Sequence, residues 1–296
     1  MQNKTVSRRI FEVFNAAFML LMVFVMLYPL LFVVNASFSD SDALLRHGNG
    51  LLLTPIEPNL NAYKMTLSNN LIISGYLNTI FVVAVGTFVN IIMTSMLAYP
   101  LSMKNMMIKK PLMKFVMVTM FFGGGLIPTY LVVRELKLID SIWSLIIPSA
   151  ISTYNMIILR TGFEGVPDSL RESALIDGAG HMRILFQIIF PLAKATVAVI
   201  CLYYGVAHWN AWFEASIYLQ ADSGKWPLQL VLRQILMMND VNSMSASGET
   251  MMDQQNNVAE SIKYATIVVA TVPVLCIYPF IQKYFTKGVM IGAVKG

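Results

Sequence analysis

Six long runs without a charged residue constrain the fold of this 296-residue chain more than any other feature. A helix needs about 20 mainly apolar residues to cross the hydrocarbon core of a bilayer. Backbone in that environment must satisfy its own hydrogen bonds, which favours helices. We therefore predict an all-α membrane protein, a single domain over 1–296, with six transmembrane helices at about 14–34, 71–103, 115–133, 141–159, 195–213 and 264–282.

The composition agrees with a bilayer environment. Charged residues make up only 12% of the chain and hydrophobic residues 56%, whereas an ordinary soluble domain has roughly 25% charged residues. The first apolar run is too long for the core of a signal peptide, which predicts a retained first helix. Cys201 and Cys276 fall inside predicted spans and indicate neither a disulfide framework nor a metal site.

The distribution of Lys and Arg predicts the orientation. Basic residues favour short cytoplasmic loops, and with the N-terminus inside, fourteen of the 21 Lys and Arg residues fall on the cytoplasmic side. Both termini are therefore expected to be cytoplasmic. This bias also accounts for the net charge of +5, so the charge does not call for a nucleic-acid partner.

A polar segment at 168–191 interrupts the apolar sequence and predicts a helical hairpin. Ser169 and Glu172 follow Pro167 with the spacing of a capping box, which starts a helix. The glycine-rich segment 177–180 breaks that helix. A second helix is expected over 181–190, where apolar residues recur at helical spacing.

The third run contains Gly123, Gly124, Gly125 and Pro128. Small residues allow membrane helices to pack closely, and they also permit a local break. A packing role and a hinge role are both open.

The hairpin residues resemble the EAA motif of the membrane subunits of binding-protein-dependent ABC importers. The matching positions are Glu172, Ser173, Ala174, Asp177, Gly178, Ala179, Phe186, Ile188 and Pro191. Ser173 stands where the family often has alanine. The C-terminal segment, with Lys287, Gly288 and Gly292, is similar to the tail of the carbohydrate subgroup, the MalG-like half, and the N-terminal segment resembles LplC-type permeases.

The resemblance implies a type I ABC importer permease fold and a mechanical role. The hairpin would be a cytoplasmic coupling element seated on an ATPase subunit, with the tail nearby, and the substrate would be an oligosaccharide. The implied partners are a second homologous permease, two ATPase subunits and an extracytoplasmic sugar-binding protein in a bacterial plasma membrane. ATP and Mg would bind the ATPase subunits, and this chain would bind no cofactor.

The residues themselves agree that any ATP hydrolysis occurs elsewhere, because the sequence has no phosphate-binding P-loop motif. Three alternatives remain open: an ion-coupled secondary carrier, an ABC importer of peptides or amino acids, and a membrane scaffold without transport. The six apolar runs contain no Asp, Glu, Lys or Arg, which counts against ion coupling.

Polar and aromatic residues in the spans are candidates for a sugar pathway, because Tyr and Trp combine flat apolar faces with hydrogen-bonding groups. The candidates are Asn78, Asn90, Tyr154, Asn155, Tyr204, His208, Asn210 and Glu214. Aromatic residues also concentrate at the membrane interface, so an aromatic belt at the outer end of the fifth span is an alternative. Glu214 would be functional at membrane depth and unremarkable in the headgroup region.

Overall fold

The first apolar run forms one unbroken helix. The computed structural model describes residues 6–48, 50–245, 261–276 and 279, and in it helix α1 (Val6–Ser37) contains the predicted span 14–34. Its apolar side chains are largely exposed. It is long and apolar enough to cross a bilayer.

Helix α1 belongs to the first of two compact units, which comprises residues from 1–70 and 232–272. Two short helices follow in this unit, α2 (Ser41–His47) and α3 (Asn61–Ser68). The Ser37 hydroxyl lies 2.7 Å from the Tyr63 hydroxyl and joins α1 to α3.

The second unit begins with the longest described span. Helix α4 (Asn70–Ser102) is continuous and contains a π-helical turn at Val82–Gly86, so 71–103 is helical as predicted except for Met103, its C-cap. Gly86 permits a close approach, because a Cβ there would lie 2.6 Å from Nε2 of His208. The glycine thus leaves room for a buried polar side chain beside the π turn.

The prediction of one helix over 115–133 is wrong. Helices α5 (Lys109–Phe121) and α6 (Leu126–Glu135) meet at an angle of 112°. Gly125 has a φ of +82°, a conformation that residues with a side chain rarely adopt. A Cβ on Gly123 or Gly125 would meet nothing within 4 Å among the described residues. The glycine run therefore forms a break between two helices, and its packing and hinge roles stay predictions.

The prediction of one helix over 141–159 is also wrong. A 3₁₀ turn (Ile142–Leu145) leads into non-helical backbone at 146–152, and helix α7 (Thr153–Glu164) begins only then. Pro148 lies in the non-helical part. The Ser152 side chain accepts a hydrogen bond from the backbone N–H of Asn155 and so caps the start of α7.

Four helices follow α7 along the chain. They are α8 (Asp168–Ile176), α9 (His181–Leu192), α10 (Lys194–Trp209) and α11 (Phe213–Tyr218). The chain bends by 92° between α9 and α10. Helix α10 ends at Trp209, four residues before the end of the predicted span 195–213.

The last described helices are α12 (Leu228–Ser245) and α13 (Ser261–Cys276). The sixth predicted span, 264–282, is helical through Cys276, and most of its remainder lies outside the described residues. Among the described residues, two helices are long and apolar enough to cross a membrane, or up to four if each bent pair counts as one span. The number of six spans stays a prediction. No strand occurs in the part of the chain that the structure describes.

The core of the second unit lies where α4, α7 and α10 pack against one another. Met156, Leu159 and Phe163 of α7 are fully buried there, beside Ile200 of α10. Helix α9 enters the same core with Ile184, Leu185 and Ile189, which are also fully buried. The second helix of the hairpin is therefore part of the core.

Candidate functional site

The segment 168–191 folds as a helical hairpin whose turn satisfies its own backbone. Ala179 donates its N–H to the carbonyl of Ala174 at 2.9 Å, and Gly178 donates to the carbonyl of Leu175 at 3.0 Å. Gly178 has a φ of +78°, which favours glycine at this position. A turn closed in this way holds the two helices in a defined orientation.

The predicted capping box is not formed. Helix α8 begins at Asp168, so Ser169 lies inside its first turn, and Pro167 at the N-cap makes no side-chain hydrogen bond. Proline is suited to the start of a helix because its φ is fixed and it has no N–H to satisfy. Asp168 adds a negative charge near the positive end of the helix dipole.

The outer face of the hairpin combines polar and apolar groups. Glu172, Ser173, Asp177 and Gly178 are exposed, and Ile176 beside them is 87% exposed. Of the other residues of the motif, Ala174 is buried, Ala179 and Ile188 are partly buried, and Phe186 and Pro191 are exposed. A rigid, partly apolar tip of this kind could seat in a groove of another protein.

A cluster of ion pairs lies beside the hairpin. Lys104 binds Asp168 at 2.8 Å, and Glu164 binds Arg160 at 2.6 Å and Lys109 at 3.0 Å. The hydrogen bond from Lys104 lowers the pKa of Asp168, and the same bond raises the pKa of Lys104. Burial alone would raise the pKa of Glu164, but its bonds to Arg160 and Lys109 outweigh burial and lower it.

Arg171 is a residue of this region that no sequence motif singles out. It is one of the basic residues on the predicted cytoplasmic side, yet it is 5% exposed and faces the core of the second unit. The only sequence signal is its spacing of three residues from Ala174, which places both on one face of α8.

Several pathway candidates instead meet in a buried hydrogen-bonded cluster. Asn90 donates its amide to the carbonyl of Ser149 at 2.7 Å and accepts at Oδ1 from Nε2 of His208 at 2.6 Å. Because an amide oxygen only accepts, Nε2 must carry the proton. The Tyr204 hydroxyl accepts from the N–H of Ser152 at 2.8 Å and pairs with Thr94 at 2.7 Å.

The cluster fixes the non-helical segment 146–152 to α4 and α10. Asn90 is fully buried, and His208 and Tyr204 are 5% and 4% exposed. The Ser149 carbonyl and the Ser152 N–H are partly buried backbone groups outside any helix, and Asn90 and Tyr204 are their hydrogen-bond partners. Asn90 and Tyr204 therefore have a structural role, while a role in transport stays a prediction.

The remaining pathway candidates are dispersed. Asn78 donates to the carbonyls of Gly224 and Trp226 at 2.8 and 3.1 Å, and Asn210 donates within its own helical turn to Val206. Asn155 is buried near the start of α7.

Two features of this group suit a sugar. Tyr154 stacks on Tyr203 with ring centroids 6.4 Å apart, and Tyr154 is 53% exposed. Glu214 is exposed and lines a cavity of about 260 Å³ that also presents the hydroxyl-bearing residues Thr129, Ser144 and Ser149. These rings and oxygens are the kinds of groups that hold sugar faces and hydroxyls.

The predicted tail residues Lys287, Gly288 and Gly292 lie outside the described residues. Within the described part of the chain, no three His, Cys, Asp or Glu residues come together as metal ligands.

Comparison with known proteins gives one consistent result. The chain is 40% identical over 290 residues to the polygalacturonan/rhamnogalacturonan transport system permease protein YtcP of Bacillus subtilis, covering 98% of this chain and all of that protein. It is 39% identical to the protein LplC of the same organism, over 99% of this chain and 98% of that protein. No protein-family model matches the chain.

A solved structure shows the same fold. It is a bacterial ABC transporter involved in the import of the acidic polysaccharide alginate, and one of its chains aligns with a TM-score of 0.86 and 29% identity. The alignment covers 96% of this chain and 100% of that one.

Proposed function

The chain belongs to the permease subunits of ABC importers for carbohydrates, and from this premise we propose that it moves an oligosaccharide across the bacterial plasma membrane by alternating access. The energy comes from ATP hydrolysis in separate ATPase subunits, which bind the ATP and Mg. The hairpin 168–191 transmits closure of those subunits to the membrane helices.

The observation that carries the coupling role is the construction of the hairpin. Its tip exposes Glu172, Asp177 and Ile176, while its second helix buries Ile184 and Leu185 completely. Because buried cores are close-packed and resist deformation, a force on the tip moves the core instead of bending the hairpin.

The complex that this role requires has four further subunits. They are a second homologous permease, two ATPase subunits and an extracytoplasmic sugar-binding protein. We propose six transmembrane spans in one domain with both termini in the cytoplasm, so that the tail with Lys287, Gly288 and Gly292 lies near the ATPase.

The substrate class rests on the relatives and on the groups available in this chain. YtcP carries polygalacturonan and rhamnogalacturonan in its name, and the solved transporter is involved in the import of alginate. We assign Tyr154 and Glu214 to the sugar pathway because both are exposed. Asn78, Asn155 and Asn210, with the buried Asn90, Tyr204 and His208, complete the proposed pathway.

The test is ATP-dependent uptake of labelled oligosaccharides by vesicles that contain the reconstituted complex. Glu172→Lys and Gly178→Asp change the exposed tip, and both variants should assemble with the ATPase subunits weakly or not at all and lose uptake. Glu12→Lys is the matched charge reversal, at a partly exposed position of the first unit where Glu12 pairs with Arg8 at 3.2 Å, and should transport normally. Uptake that persists without any ATPase subunit would show that the chain is an ion-coupled carrier and not a subunit of an ABC importer. Uptake of peptides or amino acids in place of sugars would overturn the substrate class.

A further inference from the structure

Arg171 connects the first helix of the hairpin to two helices of the core. Its Nη2 donates to the carbonyl of Phe163, near the end of α7, at 2.5 Å. Its guanidinium carbon lies 5.8 Å from the centre of the Tyr99 ring, near the end of α4. One side chain thus touches α4 and α7 from α8.

The residue is a poor choice for stability alone. Nε and Nη1 are buried and have no hydrogen-bond partner among the described residues. The nearest carboxylate oxygen, Oδ1 of Asp168, is 3.8 Å from Nη1, and Asp168 is engaged with Lys104. Burying a charge with donors left unpaired is costly, and such violations are expected where function requires them.

We propose that Arg171 is a positioning residue that ties the hairpin to α4 and α7, so that these helices follow the hairpin when it moves. This inference rests on the proposed coupling function. The hairpin already continues through the chain into α10. Residues 165–167 also join it to α7, and α9 packs in the same core. Arg171 adds a non-covalent connection that fixes α8 on the ends of α4 and α7.

The chemistry of arginine explains why no other residue serves here. A planar guanidinium stacks on an aromatic ring and donates from its edge at the same time. A lysine ammonium is a compact point charge that cannot do both in this geometry. Arg171→Lys should therefore behave like a loss of function and not like a conservative change.

The experiment compares Arg171→Met with Arg134→Met in the full reconstituted complex. Arg134 is an exposed arginine of the second unit outside the hairpin, with Glu135 3.7 Å away, so its removal costs the chain the same charge. The quantity measured is the number of ATP molecules hydrolysed per sugar imported. Arg171→Met should raise this ratio about tenfold, the factor by which an equilibrium constant changes when one charged hydrogen bond is lost, while Arg134→Met leaves it unchanged.

Tyr99 gives a second and independent variant. Tyr99→Leu removes the ring and should raise the ratio as well, whereas Tyr99→Phe keeps the ring and should not. If Arg171→Met fails to assemble, this pair decides the question. An unchanged ratio in Tyr99→Leu, or in an assembled Arg171→Met complex, would overturn the inference.

Different results would overturn the proposed function and the positioning role of Arg171. If the unmodified complex imports sugar without ATP, the proposed function is wrong. If it imports sugar with ATP and the Arg171 and Tyr99 variants keep the normal ratio, only the positioning role is wrong.

Discussion

The hairpin turn at 177–180 and the non-helical segment at 146–152 both interrupt helices of the second unit, but they are held in opposite ways. The turn is closed by backbone bonds between residues three to five apart, such as Ala179 to Ala174. The segment is held by side chains far away in sequence, Asn90 at 59 residues from Ser149 and Tyr204 at 52 from Ser152. A break held locally keeps its shape by itself, whereas one held from a distance depends on the packing of the helices around it.

The largest effect should come from Asn90→Leu. The substitution leaves the buried His208 ring without its partner, at a cost of about 1–3 kcal/mol, and it also removes the partner of the partly buried Ser149 carbonyl. The thermal midpoint of the purified complex in detergent should fall clearly. Asn210→Leu is the control, because Asn210 is exposed and bonds only within its own helix. Equal midpoints for the two variants would mean that the hydrogen bonds of Asn90 do not hold the segment 146–152.

Tyr204→Phe tests the second anchor of the same segment. It deletes one hydroxyl and removes the partner of the buried Thr94 hydroxyl and of the partly buried Ser152 N–H, at a cost of about 1–3 kcal/mol. The neighbouring Tyr203→Phe changes a partly exposed ring by the same atom and should be nearly silent. If both tyrosine variants unfold at the same temperature, Tyr204 does not hold the segment.

The difference between local and distant anchors also explains what could be predicted from the sequence. The hairpin was predicted with its turn because glycine at 178 and the helix-forming residues around it act within a few positions. The non-helical segment was predicted as a helix, because an apolar run with Pro148 inside it reads as an ordinary span. Nothing near Ser149 or Ser152 shows that Asn90 and Tyr204 lie beside them.

The bend at 122–125 and the burial of Arg171 were likewise not predicted from the sequence. The glycine run left packing and hinge roles open; the conformation of Gly125 shows a break in the helix, and both roles stay predictions. Asn90, Tyr204 and His208 were chosen as polar residues in apolar surroundings, and all three are buried. Their residue type alone does not separate a substrate contact from a structural hydrogen bond.

Gly178→Ala tests the turn at 177–180, and Gly180→Ala, two residues away, is the matched control. An alanine at the φ of +78° is strained by about 1–2 kcal/mol. Gly180 has a φ of −70°, and neither position has an atom within 4 Å of an added Cβ. Hydrogen–deuterium exchange over 168–192 should accelerate in Gly178→Ala and stay close to wild type in Gly180→Ala. The same exchange in both variants would mean that the turn conformation does not limit local opening.

The smallest effect is expected for the exposed ion pair of Lys104 with Asp168, which supports the hairpin from outside. The pKa of Asp168 is lowered, so its contribution is present above its ordinary pKa of about 3.9 and is lost as the pH falls through the lowered pKa. The pKa of Lys104 is raised, so its contribution is present below its ordinary pKa of about 10.4 and is lost as the pH rises through the raised pKa. The pair therefore stabilises the fold between these limits.

Asp168→Asn should lower the thermal midpoint slightly at pH 7, and the difference from wild type should vanish when the pH is lowered through the pKa of Asp168 or when salt screens the pair. Asp177→Asn removes the same charge from the opposite end of α8, where the helix dipole disfavours a carboxylate, so its midpoint should stay equal or rise. A difference for Asp168→Asn that persists in acid would mean that the side chain acts by packing and not by charge. In that case the hairpin, like the segment at 146–152, would depend on how tightly its surroundings pack.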